Sequence, residues 1–361
     1  MMNKAVLLAC MILAGCSSTQ QFALNENATY DKPRQLHNFD DYVQFLKAKA
    51  AGQGVSASTL NRQNNIRYIQ KAVDLDRQQA GRAARRDPSK PPVINPNGVT
   101  NYLNRVLTQN KVDVAERRYW EQLPALENAS KKLGVQKSYL MALWGMESSF
   151  GYYQGNYDVL SVLATLAFDG RREALFSKEF INAMKMLERD HIQREKMLGS
   201  WAGAMGQTQF MPTSYLTYAA DGNNDGEKDI WKNHYDVFAS IATYLSTVGW
   251  DDKLPWGVEV TLIQPMDLNE SGIENNKKRK WRDWQNKGVA LKHNSAKELE
   301  KLTALSSQNA DLWLVRPDKE AGRAFLVSNN YRTLLNWNRS NYFAVSIGMF
   351  ADRIQQQVGT K

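Results

Sequence analysis

Twelve residues, Leu140-Met141-Ala142-Leu143-Trp144-Gly145-Met146-Glu147-Ser148-Ser149-Phe150-Gly151, constrain the chain more than any other stretch. Leu140, Leu143 and Trp144 recur at i, i+3 and i+4, the spacing of one helix face. The next place on that face, i+7, is Glu147. A carboxylate is thus aimed where a core residue belongs, one turn ahead of Phe150 and a Gly151 stop. Burial disfavours the charged carboxyl, so Glu147 is expected to hold its proton above the usual value of about 4.3. A carboxylic acid kept protonated near neutral pH is what a general acid requires. The same residues also admit a plainer reading, a helix-end Glu that reaches water past Ser148 and Ser149.

The first residues carry a different signal. Lys4 precedes an apolar run, Ala5 to Leu13, too short to span a bilayer and of the size of a signal-peptide core. It ends in Leu13-Ala14-Gly15-Cys16, followed by Ser17 and Ser18, and resembles a bacterial lipobox. That resemblance implies removal of residues 1–15 and acylation of Cys16. An ordinary secretory peptide with an incidental Cys is the alternative. Ser rather than Asp after the Cys resembles outer-membrane lipoproteins, which implies a lipid-anchored protein on the periplasmic face of that membrane. Several acyl chains anchor stably, at about 0.8 kcal/mol per buried CH₂. Cys10 would leave with the leader and Cys16 would become a thioether. The mature chain would then have neither thiol nor disulfide chemistry, nor a Cys metal site.

At 361 residues the chain is long enough for two or three domains. Its net charge of +9 favours acidic partners: nucleic acid, anionic lipid or the carboxylate-bearing cell wall. No nucleic-acid-binding signature accompanies that charge, so no such partner is expected.

Taken in order, residues 16–35 are polar and read as a tether. An N-terminal helical segment, 36–99, follows: Phe39, Tyr42, Val43 and Leu46 share a face, and Ser56 or Ser58 can cap a second helix carrying Ile66, Ile69 and Val73. Arg82, Arg85 and Arg86 read as a solvated face before the breaker-rich Pro88 to Gly98. A main helical unit over 100–255 begins with a helix predicted from Val114 to Leu133, stopped by Gly134. Phe176, Phe180, Ala183, Met184 and Leu187 mark a core-facing helix. The Gly-rich loop from Gly199 to Pro212 lacks the ending of a phosphate loop, so nucleotide binding is not expected. Its glycines imply backbone packed closely on a helix or a ligand.

In Asp221-Gly222-Asn223-Asn224-Asp225-Gly226-Glu227-Lys228-Asp229, oxygen side chains fall at positions 1, 3, 5 and 9 with Gly at 6, as in an EF-hand calcium loop. Position 12 is Lys232 where a Glu belongs, and Asp236 can replace it if the loop is longer. The alternative is an Asx-rich turn without an ion. Val237 to Val248 form a patterned helix. Residues 256–330 read as a small β domain, with alternation at Val258 to Leu262, Asp311 to Arg316 and Arg323 to Val327. Lys277 to Lys280 with Arg282 read as a solvated basic loop. Residues 331–361 return to helix, with Phe343, Ile347, Phe350 and Ile354 as a closing stripe.

Three blocks together, Gly145 to Gly151, Ser200 to Tyr215 and the Asp221 loop, resemble the family of membrane-bound lytic murein transglycosylase B, a bacterial cell-wall enzyme. The resemblance runs from about residue 36 to the end. It implies a mainly α fold, with a lysozyme-like helical core, an additional helical segment and a small inserted β domain. It also implies cleavage of the β-1,4 bond between N-acetylmuramic acid and N-acetylglucosamine in peptidoglycan, without water, leaving a 1,6-anhydromuramic end. Glu147 matches the single catalytic acid. Ser200, Gln209, Met211, Tyr244, Asn338 and Tyr342 match substrate-contacting positions, and Tyr102 is a looser match. Trp337 stands where a Tyr is familiar, which keeps stacking and removes a hydroxyl hydrogen bond. Asp221, Asn223, Asp225, Glu227 and Asp236 match a structural calcium site, from which Lys232 departs. The implied partners are glycan strands, the outer membrane through Cys16 and other cell-wall enzymes. No cofactor is implied for catalysis.

One carboxylate suits that chemistry. Ordinary glycosidases use two, one to protonate the leaving oxygen and one to activate water or attack carbon. In a transglycosylase the substrate's own C6 hydroxyl attacks, so Glu147 can act as acid and then as base. Asp158 and Asp169, the next acidic residues along the chain, lie in unremarkable contexts. A hydrolytic muramidase on the same scaffold and a non-catalytic wall-binding lipoprotein remain as alternative readings.

Overall fold

The computed structural model describes residues 34–84, 95–190 and 192–359. The lipobox with Cys16, nearly all of the tether and the Arg85 to Pro92 stretch lie outside these residues. Helix dominates, as expected for a mainly α, lysozyme-like chain, and strands are confined to one short pair and one four-stranded sheet.

Two helical cores carry the molecule. The first gathers helices Gly98–Val106, Gln109–Glu121, Leu123–Leu133, Lys137–Ser148 and His234–Thr247 around the closing helix Asn341–Gly359. The single long helix predicted from Val114 to Leu133 is two, because Pro124 sits at the start of Leu123–Leu133, where a missing N–H is tolerated but a preceding helix cannot run through. The second core is built on Val159–Asp169, an eleven-residue helix buried along its whole length. A helix apolar on every side must be covered on every side. Glu173–Arg189 covers one flank with Phe176, Phe180, Met184 and Leu187, and Phe39–Ala51 covers another with Phe39 and Tyr42. The N-terminal segment therefore shares this core with residues 159–230.

Ile66 and Ile69 are not helical. Ser56 Oγ caps only the short helix Ala57–Arg62, accepting from Thr59 N at 3.2 Å, and the next helix starts at Gln70. Between them the chain is non-helical and runs along Val159–Asp169. Arg67 N donates to Ser161 Oγ at 2.9 Å and Ile69 N to Thr165 Oγ1 at 3.0 Å. Side-chain acceptors on a neighbouring helix here replace the helical ladder.

The four-stranded antiparallel sheet runs Val289–Leu291, Gly257–Leu262, Ala324–Val327, Trp313–Val315 in spatial order. Alternation splits its side chains between two cores. Trp313, Val315, Phe325 and Val327 face the first helical core, while Val258, Val260, Leu314 and Leu326 face a small core closed by Trp284 and Leu305. The last two come from helices Trp281–Asn286 and Ala296–Ser307, which the alternation of the strands did not announce. The basic run before them is not simply solvated: Lys278 and Lys280 pair with Asp311, and Arg279 with Glu270.

From the sheet the chain returns through Asn329–Trp337. Buried Asn330 orients that helix, accepting from Asp251 N at 2.8 Å and donating to the carbonyls of Asp251 and Leu254 at 2.7 Å each.

Candidate active site

Glu147 lies in the last turn of Lys137–Ser148, whose residues Tyr139 to Gly145 are all buried. The helix stops at Ser149, before the expected Gly151, because Ser149 and Phe150 both turn left-handed, with φ of 49° and 61°. Such angles are costly for side-chain-bearing residues and persist where packing holds them. Phe150 is held between Trp144 and Phe350.

Glu147 itself is half-buried. Burial pushes its carboxyl up to about 7, opposed by the Trp337 indole, whose Nε1–H donates to Oε1 at 2.7 Å. The expectation of a raised, protonatable acid is thus met in direction, although part of the side chain stays in contact with water. At Trp337 stacking alone was expected. The indole N–H instead supplies a hydrogen bond to the acid where a hydroxyl cannot. Burial and the Trp337 hydrogen bond are the two influences that set the Glu147 carboxyl. Asp158 caps Val159–Asp169 and pairs with Arg194 at 2.7 Å, while buried Asp169 pairs with Arg77 at 2.8 Å, so both are structural.

Trp337 opens an aromatic wall. Tyr244 meets it edge-on at 4.7 Å between centroids, Phe210 lies at 5.4 Å, and Tyr218 packs on Tyr244 at 4.5 Å. Tyr244 and Trp337 pack against both helical cores, so this wall marks the seam between them. Met211, beside Phe210, packs on the second core, and Asn338 is exposed directly after Trp337. Phe210 and Tyr218 were not singled out in the sequence.

The rest of the Gly-rich loop is held by its own polar side chains. Ser200 Oγ accepts from Ala202 N at 3.3 Å and Ala204 N at 3.1 Å. Gln209 Nε2 donates to Gly206 O at 2.8 Å and Gln154 O at 3.2 Å. The close packing inferred for the glycines is against protein: a Cβ on Gly203 would meet Leu163 at 2.6 Å, and one on Gly206 would meet Ile230 O at 2.7 Å. Buried Gln207 locks the loop in place. Its Oε1 accepts from Trp144 Nε1 at 2.7 Å and its Nε2 donates to Trp231 O at 2.8 Å, which joins the helix of Glu147 to the Asp221 loop. Nothing in its spacing set Gln207 apart from Gln209.

Tyr102 and Tyr342 form a separate pair, 5.6 Å between centroids. Tyr342 donates to Asp318, whose Oδ2 accepts from Val99 N at 2.8 Å. Burial and that carboxylate push the Tyr342 hydroxyl up to about 12.

In the Asp221 loop the acidic side chains accept loop amides. Asp221 takes Asp225 N and Gly226 N at 3.2 and 2.8 Å, and Asp225 takes Glu227 N at 2.8 Å. Asp236 is fully buried, with Oδ1 and Oδ2 accepting from Gly222 N and Asp229 N at 2.8 Å each. Burial pushes its carboxyl up to about 6, and the Asp225 and Asp221 charges add to this. Among the described residues no three ionisable ligands converge on a metal position. Asn223 donates to Asp225 at 2.8 Å, while Glu227 and Lys232 are exposed.

Residues 38–352 match the family model described as Transglycosylase SLT domain. Membrane-bound lytic murein transglycosylase B of Escherichia coli (strain K12) is 35% identical over 164 residues, which is 45% of this chain and 45% of that protein. The match therefore spans about half the length of that relative. Among solved structures, SltB3 from Pseudomonas aeruginosa in complex with NAG-anhNAM-pentapeptide superposes with a TM-score of 0.75 at 31% identity, covering 88% of this chain and 79% of that one. The Escherichia coli lytic transglycosylase SLT35 in complex with calcium gives 0.71 at 21% identity, covering 88% and 94%, and so shares the fold.

A raised carboxyl makes stability depend on pH. In the unfolded chain Glu147 releases its proton near 4.5, in the folded chain near 7. Its contribution is full below 4.5 and is lost as pH rises through 7, by about 3 kcal/mol in all. Glu147→Gln cannot titrate, so its stability relative to the parent should climb between pH 4.5 and 7 and level off above. Denaturant unfolding across that range checks this, and a pH-independent difference would refute the buried acid.

Proposed function

We propose, because this chain belongs to the Transglycosylase SLT domain family, that it is a peptidoglycan lytic transglycosylase. It would cleave the β-1,4 bond between N-acetylmuramic acid and N-acetylglucosamine and leave a 1,6-anhydromuramic end. The observation that carries this reading is one carboxyl, Glu147, raised to about 7 and bonded to a neutral donor, the Trp337 indole.

The chemistry balances with that one group. Protonated Glu147 gives its proton to the glycosidic oxygen as the bond from C1 to that oxygen breaks. The resulting carboxylate takes the proton of the C6 hydroxyl as the C6 oxygen closes on C1. No water is consumed, and Glu147 ends protonated. The Trp337 N–H favours the carboxylate stage, since a donor stabilises the charged form. General acid-base assistance of this kind contributes about 10²- to 10⁴-fold. Ser200, Gln209, Met211, Tyr244, Trp337, Asn338, Tyr342 and Tyr102 would line the glycan path. The ligand of the SltB3 relative carries both an anhydro end and a pentapeptide, and the strands met by this chain would bear peptide stems in the same way.

Two further readings accompany this one. The Asp221 loop would hold a structural calcium ion through Asp221, Asn223, Asp225 and Asp236, with Glu227 contributing at its backbone. These are hard oxygen donors of the class calcium takes, and the amides they now accept would have to yield some of them. The ion would brace the loop and take no part in the reaction. Cys16 would be lipidated, tethering the enzyme to the periplasmic face of the outer membrane beside its substrate and other cell-wall enzymes.

Mature protein lacking Cys16 should release muropeptides one water lighter than reducing ones from purified sacculi, by mass spectrometry, and Glu147→Gln should release none. Reducing products would mean hydrolysis, and binding without release a scaffold. Excess chelator should lower the melting temperature of the same protein if the loop holds calcium, and unchanged melting would dismiss the ion. Labelled fatty acid should be incorporated by the full chain in a bacterial host and not by Cys16→Ala. Equal labelling would remove the anchor.

A further inference from the structure

Helix Gly98–Val106 starts without a cap of its own, since the Asn97 side chain ahead of it accepts no amide of the first turn. The cap comes from 219 residues further on. Asp318 lies buried in the turn after strand Trp313–Val315 of the β domain. Its Oδ2 accepts from Val99 N at 2.8 Å, and its Oδ1 accepts from the Tyr342 hydroxyl. The neighbours of Asp318 are cationic: Arg316 and Lys319, with Arg332 and Arg339, line a cavity between helix Asn329–Trp337 and the β domain. The carboxylate nevertheless goes to two neutral donors.

The surroundings are shaped for that arrangement. A Cβ on Gly98 would collide with Tyr342 Oη and Asp318 Oδ1, and one on Gly322 would collide with the Asp318 side chain. Three distant stretches of chain therefore close on one carboxylate. The Tyr342 ring is partly buried against the first helical core and meets Tyr102 at 5.6 Å between centroids. Tyr102 in turn lies beneath the Arg105 guanidinium, 5.6 Å from the ring centre.

The consequence is chemical. A phenol has one proton to give and oxygen lone pairs with which to accept, whereas a carboxylate only accepts. The proton of Tyr342 is committed to Asp318. Toward a ligand, the oxygen of Tyr342 is left as an acceptor.

We propose that Asp318 is a positioning residue for the substrate, fixing Tyr342 as a hydrogen-bond acceptor in the glycan path. Tyr342 then takes a sugar hydroxyl or an N-acetyl N–H and turns away ether and carbonyl oxygens. The inference rests on the transglycosylase reading, which puts Tyr342 along that path. A hydroxyl free to rotate would meet donors and acceptors alike, and the carboxylate behind it makes the contact selective.

Asp318→Asn reverses this polarity at nearly constant shape. Its carbonyl must stay on Val99 N, because that amide can only donate, so its NH₂ faces Tyr342 Oη and the tyrosine proton turns toward the sugar. The test is a double-mutant cycle on binding of glycan strands stripped of peptide, read as Kd in the mature Glu147→Gln chain so that no turnover intervenes. Tyr342→Phe removes the acceptor and should weaken binding about fivefold, while Asp318→Asn sets donor against donor and should weaken it about twentyfold. In the Tyr342→Phe background, Asp318→Asn should cost nothing further. The same cost in both backgrounds would make Asp318 a structural cap alone, and no cost from either substitution would remove Tyr342 from the path. Each of these results would overturn the proposal. Asp318→Ser also takes the carboxylate from Tyr342, with a smaller side chain, and should show the same dependence on Tyr342 even if the Asn variant folds poorly. The products that the parent releases from sacculi read the catalytic assignment separately, so the two can fail independently.

Discussion

The hydrogen bond from Trp337 Nε1 to Glu147 Oε1, 2.7 Å long and partly buried, is the interaction on which the rest of the structure converges. Burial alone would hold the carboxyl neutral, useful as an acid and poor as a base. A single neutral donor opposes that without adding a charge, and the group comes to rest at about 7, where both protonation states are accessible. A cation in the place of Trp337 would pull the carboxyl down and waste it as an acid.

That one contact joins residues 190 positions apart, and much of the fold can be understood as what holds them together. Glu147 is fixed by a helix buried on nearly every face and stopped by left-handed Ser149 and Phe150. Trp337 is fixed by a helix whose start is tied through Asn330 to the segment entering the sheet. The inserted β domain thus does more than decorate the core, since its two ends set the path of the helix that completes the acid's surroundings. Gln207 links the helix of Glu147 to both the Gly-rich loop and the Asp221 loop.

Helix faces were legible where periodicity was strong, as at Phe176 to Leu187 and Phe343 to Ile354, because the core there is written residue by residue. The strands at Val258 and Phe325 were legible from alternation. What local pattern missed had partners far away. Ile66 and Ile69 have helical spacing, yet the segment stays out of helix, with the amides of Arg67 and Ile69 on Ser161 and Thr165. Trp284 comes from a six-residue helix too short to show a period, while Leu305 sits in the twelve-residue helix Ala296–Ser307 inside the stretch read as strands. The basic run near Lys278 resembled a solvated loop because Asp311, its counter-charge, lies about thirty residues on.

By itself the sequence determined the helical class, the position of the acid on an otherwise apolar face, and the loop of oxygen side chains after Asp221. Each is a local property, readable from spacing and residue type. Only the tertiary structure decided that the Trp337 indole reaches Glu147 and that Arg316, Lys319, Arg332 and Arg339 line one cavity. Those outcomes depend on desolvation and on distances between segments far apart in the chain. Such quantities exist only once the two cores have closed on each other.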